Sequence, residues 1–163
     1  MRYGFNVDAY SRFYTENKDR LFAYLLRMTG DVQAALDLVQ ESFTRYLKHY
    51  GSAAPKRALL YTIARNAALD TARRQNLSVL KDDNDNPASG NPEQQLIHRE
   101  AVERMLSALD QLATADRELI SLVAAADLTY REIGRVLNIS ETNVKVRVHR
   151  ARTKLRSILA TGE

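Results

Sequence analysis

Apolar side chains recur along most of the chain at intervals of three and four residues, the spacing of one face of an α-helix. This pattern predicts five helices before the last part of the chain, at about residues 7–28, 31–49, 55–74, 94–112 and 114–126. Alternation with a period of two, which would indicate strands, is nearly absent. We therefore predict an all-α protein.

Two of these helices have polar faces of different character. In the second, the predicted apolar stripe is Val32, Leu36, Val39, Phe43 and Leu47, and the opposite face carries Asp37, Gln40, Glu41 and Thr44. The third is predicted to bury Leu60, Ile63 and Ala67 and to display Lys56, Arg57, Arg65, Asn66, Arg73 and Arg74. The second helix therefore offers a partly acidic face and the third a basic one.

Residues 76–93 differ in composition from the rest of the chain. They are rich in Asn, Asp, Pro and Ser, and one lysine against four acidic residues leaves a net charge of −3. So few apolar groups do not offset the entropy cost of ordering. We expect a flexible acidic linker at 76–93 between two small helical domains, at residues 1–75 and 94–163.

The segment from residue 129 to residue 156 predicts two helices joined by a tight turn. Thr129 and Glu132 have the spacing of a capping box at the start of the first of these helices. Gly134 lies in its middle, at a cost of about 1 kcal/mol against alanine, which is reasonable if the second helix packs closely there. Asn138 tolerates the left-handed conformation that ends a helix, and Ser140 can cap the next one. These signals together predict a helix-turn-helix.

The second helix of this motif is strongly basic. Between residues 141 and 156, six basic groups and one acidic group leave +5 with the histidine neutral, and an apolar stripe is formed by Val144, Val148, Ala151 and Leu155. Short polar residues at its start suit base edges, and the basic residues behind them suit phosphates. A solvated basic helix packed on its neighbour is the alternative. The candidate DNA contacts are Ser140, Glu141, Thr142, Asn143, Lys145, Val146, Arg147 and Arg150.

Composition limits the other classes of function. The net charge is +4 and the sequence pI about 9.4, so a local nucleic-acid footprint is favoured over a general polycation. There is no cysteine, the three histidines are far apart, and no phosphate loop or nucleophile motif occurs. We expect no enzyme activity, metal or cofactor. No signal peptide or long apolar span is found, so we expect a cytoplasmic protein without membrane contact of its own.

Several segments together resemble the extracytoplasmic-function (ECF) group of bacterial RNA polymerase sigma factors. In the first half they are the segment 26–31, the Asp-Leu-Val-Gln-Glu-Ser-Phe run at 37–43 and the segment 61–70, followed by Arg73 and Arg74. In the second half they are residues 116–120, 128–134 and 144–152. The resemblance covers nearly the whole chain in family order. It implies a promoter-specificity subunit that binds core RNA polymerase and directs initiation at −10 and −35 promoter elements.

The resemblance also implies a role for each candidate site. The positions that match the polymerase-docking face are Asp37, Gln40 and Glu41. The positions that match the −10 segment are Lys56, Tyr61, Arg65, Asn66, Arg73 and Arg74, among which Tyr61 offers a stacking face to an unpaired base. The basic helix after Ser140 would read the −35 element. An anti-sigma factor is expected as a further partner, since many members of the group have one.

Two other classes of protein stay open at this point. One is a free-standing dimeric transcriptional regulator with a helix-turn-helix, in which residues 8–75 would sense a signal or form the dimer. The other is a protein-binding helical module whose basic helix contacts an acidic partner. These alternatives can be distinguished from a sigma factor by testing whether the protein binds promoter DNA alone or only together with core polymerase.

Overall fold

A computed structural model describes residues 7–50, 55–75 and 92–162 of the chain. These residues form seven helices and no strand, which confirms the prediction of an all-α fold. The helices are α1 (Val7–Thr29), α2 (Val32–Tyr50), α3 (Arg57–Gln75), α4 (Pro92–Asp110), α5 (Thr114–Ala125), α6 (Tyr130–Leu137) and α7 (Glu141–Thr161). None of them is both long enough and apolar enough to cross a membrane.

Local signals set the ends of the first helices. Gly30 follows α1 with φ +68°, and the carboxylate of Asp31 accepts a hydrogen bond of 2.9 Å from the backbone N–H of Ala34 at the start of α2. The third helix begins at Arg57 and not at the predicted Pro55. Its entry is fixed because the Lys56 backbone N–H donates to the Tyr46 hydroxyl at 2.8 Å.

The predicted linker falls mostly outside the described residues. Helix α4 begins at Pro92, so the last two residues assigned to the linker are helical. Residues 76–91, which carry the rest of the linker, and residues 51–54 of the break before α3 lie outside the described part of the chain.

The buried face of α2 differs from the predicted stripe. Val39 and Phe43 are buried as predicted, together with Ala35, Leu38, Ser42 and Tyr46. Val32 and Leu36 are instead 48% and 43% exposed, and Leu47 is half-buried. The physical reason is that α2 packs against both α1 and α3, and the small Ala35 and Ser42 let these neighbours approach closely. The predicted position of Val32 and Leu36 in the core was therefore wrong.

Helices α1–α3, called here the N-terminal half, pack around one set of aromatic and leucine side chains. Phe13 lies 5.1 Å from Tyr46 and 6.2 Å from Phe43, measured between ring centroids, and the Phe13–Phe43 pair is edge-on. Leu25 and Leu60 are fully buried beside them. These side chains give the three helices a shared apolar core.

Helices α4–α7, called here the C-terminal half, enclose a smaller apolar cluster of Leu109, Leu112, Ile120 and Ala151. The two halves also pack against each other, because α5 contacts α1 and α6 contacts α3. Side chains from both sides of this contact, including Leu21, Tyr61, Leu122 and Ile133, belong to one buried cluster.

Candidate nucleic-acid interface

The helix-turn-helix has the local geometry that the sequence predicts. The Thr129 hydroxyl accepts from the Glu132 backbone N–H at 3.2 Å, and the Glu132 carboxylate accepts from the Thr129 backbone N–H at 2.8 Å. This capping box starts α6. Asn138 ends it in the left-handed conformation, with φ 56° and ψ 47°. The prediction of the motif is confirmed.

The corner of the motif lies unusually close to α6. The Ile139 backbone N–H donates to the Gly134 carbonyl at 2.9 Å. A Cβ added at Gly134 would lie 2.6 Å from the Ile139 carbonyl oxygen, which belongs to the backbone. Glycine is therefore needed at residue 134 because the corner backbone occupies the space of a side chain.

Helix α7 presents its predicted DNA contacts to solvent. The Ser140 hydroxyl caps the helix by accepting from the Asn143 backbone N–H at 3.1 Å. Val144, Val148 and Ala151 are buried against α5 and α6, while Leu155 is half-buried. All eight predicted contacts are exposed: Ser140, Glu141, Thr142, Asn143, Lys145, Val146, Arg147 and Arg150. The structure thus brings them together around the start of one helix.

Two further basic residues lie beside this surface. Arg131 and Arg135 of α6 are exposed, and they line the same surface depression as Asn138, Ser140 and Glu141. Our interpretation of the sequence did not include them. The two arginines are four residues apart and do not coincide with the apolar positions of α6, so they share one polar face of that helix. This spacing is the signal that could have identified them.

The predicted docking face of α2 is exposed along its length. Asp37 accepts a hydrogen bond of 3.1 Å from the Gln33 side chain, and Glu41 pairs with Arg45 at 2.7 Å on the same helix. Gln40 is exposed between them. Val32 and Leu36 are exposed next to these polar residues on the surface of α2. The predicted docking face therefore combines acidic groups with two apolar side chains.

The predicted −10 residues, which lie on α3 or just before it, differ in exposure. Lys56, Asn66, Arg73 and Arg74 are exposed. Arg65 is part-buried, and its guanidinium pairs with the Glu118 carboxylate of α5.

Tyr61 is fully buried, with its ring centroid 5.4 Å from that of Tyr24. Burial raises the pKa of the Tyr61 hydroxyl above its ordinary value. The stacking face expected of Tyr61 is therefore covered in this arrangement.

Across residues 7–50, 55–75 and 92–162, no group of three or more histidine, cysteine, aspartate or glutamate side chains is placed to hold a metal ion.

Known proteins similar to this chain agree with the two-part organisation. Residues 13–77 match the family description "Sigma-70 region 2", and residues 102–155 match "Sigma-70, region 4". The ECF RNA polymerase sigma factor SigM of Bacillus subtilis (strain 168) is 32% identical over 146 residues, which cover 87% of this chain and 90% of SigM.

Two solved structures share the fold. The structure of CnrH in complex with the cytosolic domain of CnrY has a TM-score of 0.75 at 24% identity, covering 99% of this chain and 94% of CnrH. The sigma factor RpoE of Bartonella quintana, in complex with the anti-sigma factor NepR, has a TM-score of 0.73 at 22% identity, covering 96% of this chain and 100% of RpoE.

Both sigma regions match this chain, and they match in the order that the family has. In addition, SigM aligns with it over nine-tenths of the SigM length. These two findings together establish the family. Members of that family are specificity factors for transcription initiation and have no enzymatic reaction of their own. This chain belongs to the ECF group of RNA polymerase sigma factors.

Proposed function

We propose that this sigma factor reads the −35 element with the start of α7, engages the −10 element through α3, and docks on core polymerase through α2. The observation that carries the proposal is the arrangement of α7. Three of its apolar side chains are buried, and every polar or basic residue of its first two and a half turns is exposed. A helix held so firmly on one side and so polar on the other suits insertion into the major groove.

Within α7, distance from the N-terminus separates two kinds of DNA contact. Asn143 and Lys145 lie in the first turns, where side chains of a recognition helix reach base edges. Arg152 and Arg156 lie farther along, where they suit phosphates. We therefore assign sequence preference to the first pair and general affinity to the second.

Arg131 and Arg135 extend this surface to α6. They lie beside the corner of the motif, where the first helix of a helix-turn-helix crosses the DNA backbone. We infer that both neutralise phosphates at the edge of the −35 element and carry no base preference.

The α2 face suits a basic partner with an apolar patch. Asp37 and Glu41 supply negative charge, and the exposed Val32 and Leu36 supply apolar area that burial in a complex would remove from water. We infer that all four contact core polymerase.

The α3 surface has the chemistry for a displaced single strand. Arg73 and Arg74 are exposed in the last turn of α3, and Asn66 is exposed at its middle. Arg65 precedes Asn66 directly, and Tyr61 lies about one turn before Arg65. Basic groups that track a strand, together with an aromatic ring for stacking, are the recurrent elements of single-strand sites. We infer that the −10 strand uses all five residues once Tyr61 and Arg65 are uncovered.

We also infer that an anti-sigma factor controls the protein and that it works in the cytoplasm, where it meets core polymerase. The first inference is supported by the RpoE relative, whose solved structure contains the anti-sigma factor NepR.

A binding survey over DNA duplexes with randomised −35 positions tests the assignment of α7. Asn143→Ala and Lys145→Ala should each change the preferred base at one or two positions, with about 1–3 kcal/mol of lost discrimination at each. Arg152→Ala is the matched control on the same helix. It should weaken all duplexes evenly and reduce the slope of affinity against salt.

The survey also has a clear negative result. Unchanged base preferences for both Asn143→Ala and Lys145→Ala would show that the start of α7 does not read the element. A shift of preference caused by Arg152→Ala would place the reading surface farther along the helix.

A further inference from the structure

An apolar side chain lies in the middle of the polar surface of α7. Val146 is 41% exposed, whereas Val144 and Val148, two residues to either side of it, are buried. Successive residues of an α-helix are about 100° apart around its axis, so Val146 lies about 160° from each of these buried valines. It therefore faces directly away from the core, at the centre of the surface that we assign to the −35 element.

Two neighbours extend this outward position into a row. Thr142 lies four residues before Val146 and Arg150 four residues after it, so the three side chains follow one another along the helix surface. All three are exposed. Thr142 presents a methyl group as well as a hydroxyl. The row thus carries methyl groups near the end of the helix that enters the groove, and becomes basic only behind them.

Charged groups lie on both sides of this row. Lys145 and Arg147 are exposed, about 100° to either side of Val146. Glu141 holds the Lys145 ammonium at 3.6 Å along one side of the helix. A helix about 10–12 Å across fills a major groove about 12 Å wide, so its outward row faces the floor of the groove. The longer charged side chains reach bases or phosphates from the sides of that row.

A single exposed valine is common on protein surfaces and needs no special reason. The position of Val146 separates it from such cases, because on the groove floor it would lie against base edges and could make no hydrogen bond to them. The apolar group that base edges present in the major groove is the methyl group of thymine. Contact between that methyl group and the valine removes apolar surface of both from water.

We propose that Val146 determines specificity for thymine in the −35 element by packing against the thymine 5-methyl group, with the Thr142 methyl beside it. This role rests on the proposed reading of the element by the start of α7, and it adds the chemical group that is read. The methyl group of 5-methylcytosine occupies the same ring position. The same contact therefore makes the protein sensitive to methylation of a cytosine at that base pair.

Deoxyuridine tests the contact without changing any hydrogen-bonding group of the DNA. Each thymine of the −35 duplex that the native protein prefers is replaced in turn, and binding of the full-length protein is measured by fluorescence anisotropy. Burial of one methyl group is worth a factor of about four in affinity. Replacement should therefore weaken binding about fourfold at one or two thymines and leave it unchanged at the others.

Val146→Ala should reduce this difference between thymine and uracil from about fourfold to less than about twofold. Alanine favours a helix over valine, so the loss cannot come from fraying of α7. Leu159→Ala is the matched control, because Leu159 is an apolar side chain of the same helix, 45% exposed and about 20 Å farther along it. This control variant should distinguish thymine from uracil as the native protein does.

Cytosine methylation tests the same contact in the opposite direction. The base pair identified with deoxyuridine is replaced by a cytosine–guanine pair, which carries either cytosine or 5-methylcytosine. The native protein should bind the methylated duplex about fourfold more tightly than the unmethylated one. Val146→Ala should bind the two nearly equally. A gain of affinity on addition of a methyl group cannot arise from a damaged protein.

Three results would overturn the proposal. The native protein could prefer an element without any A·T pair, or it could bind thymine and uracil equally at every position. Equal discrimination by Val146→Ala and the native protein would place the methyl contact elsewhere on the molecule. These results leave the reading of the −35 element by α7 intact. A native protein without any preferred duplex would instead refute the proposed function, and this contact with it.

Discussion

Replacement of Gly134 by alanine tests how closely the corner of the helix-turn-helix approaches α6. Alanine favours a helix over glycine by about 1 kcal/mol, so at an ordinary helical position Gly134→Ala would stabilise the protein. Here the new Cβ would lie 2.6 Å from the Ile139 carbonyl oxygen. That oxygen is backbone and cannot rotate away, so the corner itself must shift.

The two effects can be compared in size. Forced overpacking of this kind costs about 1–3 kcal/mol, and strain on the bond from Ile139 to the Gly134 carbonyl adds about 1 kcal/mol. After subtraction of the helix gain, a net loss of about 2 kcal/mol remains. For a chain of 163 residues, the thermal midpoint should fall by about 6 °C, at about 3 °C per kcal/mol.

Thermal unfolding followed by circular dichroism measures this loss, and −35 duplex binding at 25 °C should weaken as well, because the start of α7 must move. Gly162→Ala is the matched control. Its added Cβ would have ordinary contacts, the nearest at 3.7 Å from the Ile158 carbonyl oxygen, so the midpoint should hardly change. A Gly134→Ala protein as stable as the native one, with unchanged duplex affinity, would refute the close approach.

Three further predictions concern separate parts of the molecule. Asp37→Arg should weaken binding to core polymerase in fluorescence anisotropy and leave helical content intact, whereas Glu103→Arg on α4 should not; equal binding by both would refute the docking face. Thr129→Ala removes the cap of α6 and should lower stability by about 1 kcal/mol in denaturant unfolding; an unchanged midpoint would show that the cap is dispensable. Asp127 pairs with Arg20 and Arg57, and the hydrogen bond and charge of Arg20 hold the pKa of Asp127 below its ordinary value. The folded state therefore gains stability from Asp127 above that ordinary value and loses it as pH falls through the lowered pKa. The contribution of Asp127 to stability in denaturant unfolding should be constant near neutral pH and decline below about pH 4, and Asp127→Asn should remove its share of that decline; equal pH dependence in the two proteins would refute the role of the ion pairs.

The helix-turn-helix was predictable because its determinants act over a few residues. The capping box joins Thr129 to Glu132, and Asn138 takes its left-handed conformation from its own backbone preference. Each signal is local, so each can be read without knowledge of the partner surface. The polar start of α7 followed in the same way from the spacing of its buried residues.

The contact between the two halves could not be predicted from the same patterns. Arg65 meets Glu118 across 53 positions of sequence, and Arg57 meets Asp127 across 70. Periodicity identifies an apolar face but does not say which helix covers it. Tyr61 lies beside Leu60 on α3 and is fully buried, with its ring against Tyr24 of α1, while α6 packs against α3.

The error on α2 has a related cause. Val32 and Leu36 are apolar and were therefore assigned to the core, whereas the buried positions include the small Ala35 and Ser42. Close helix packing favours small side chains at the points of approach, and large apolar side chains can lie outside when a partner protein is to cover them. A sequence pattern based only on apolar residues does not distinguish a side chain buried in the core from one that a partner protein covers.

Transcription by core polymerase on a library of random-sequence DNA templates tests the central claim most directly. With this protein added, sequencing of transcript 5′ ends should show new start sites that share two upstream elements at a constant spacing. The Asp37→Arg protein should give few of these starts, because it docks poorly on polymerase. No new starts with the native protein, together with tight binding of polymerase-free protein dimers to two-fold symmetric DNA sites, would contradict the account.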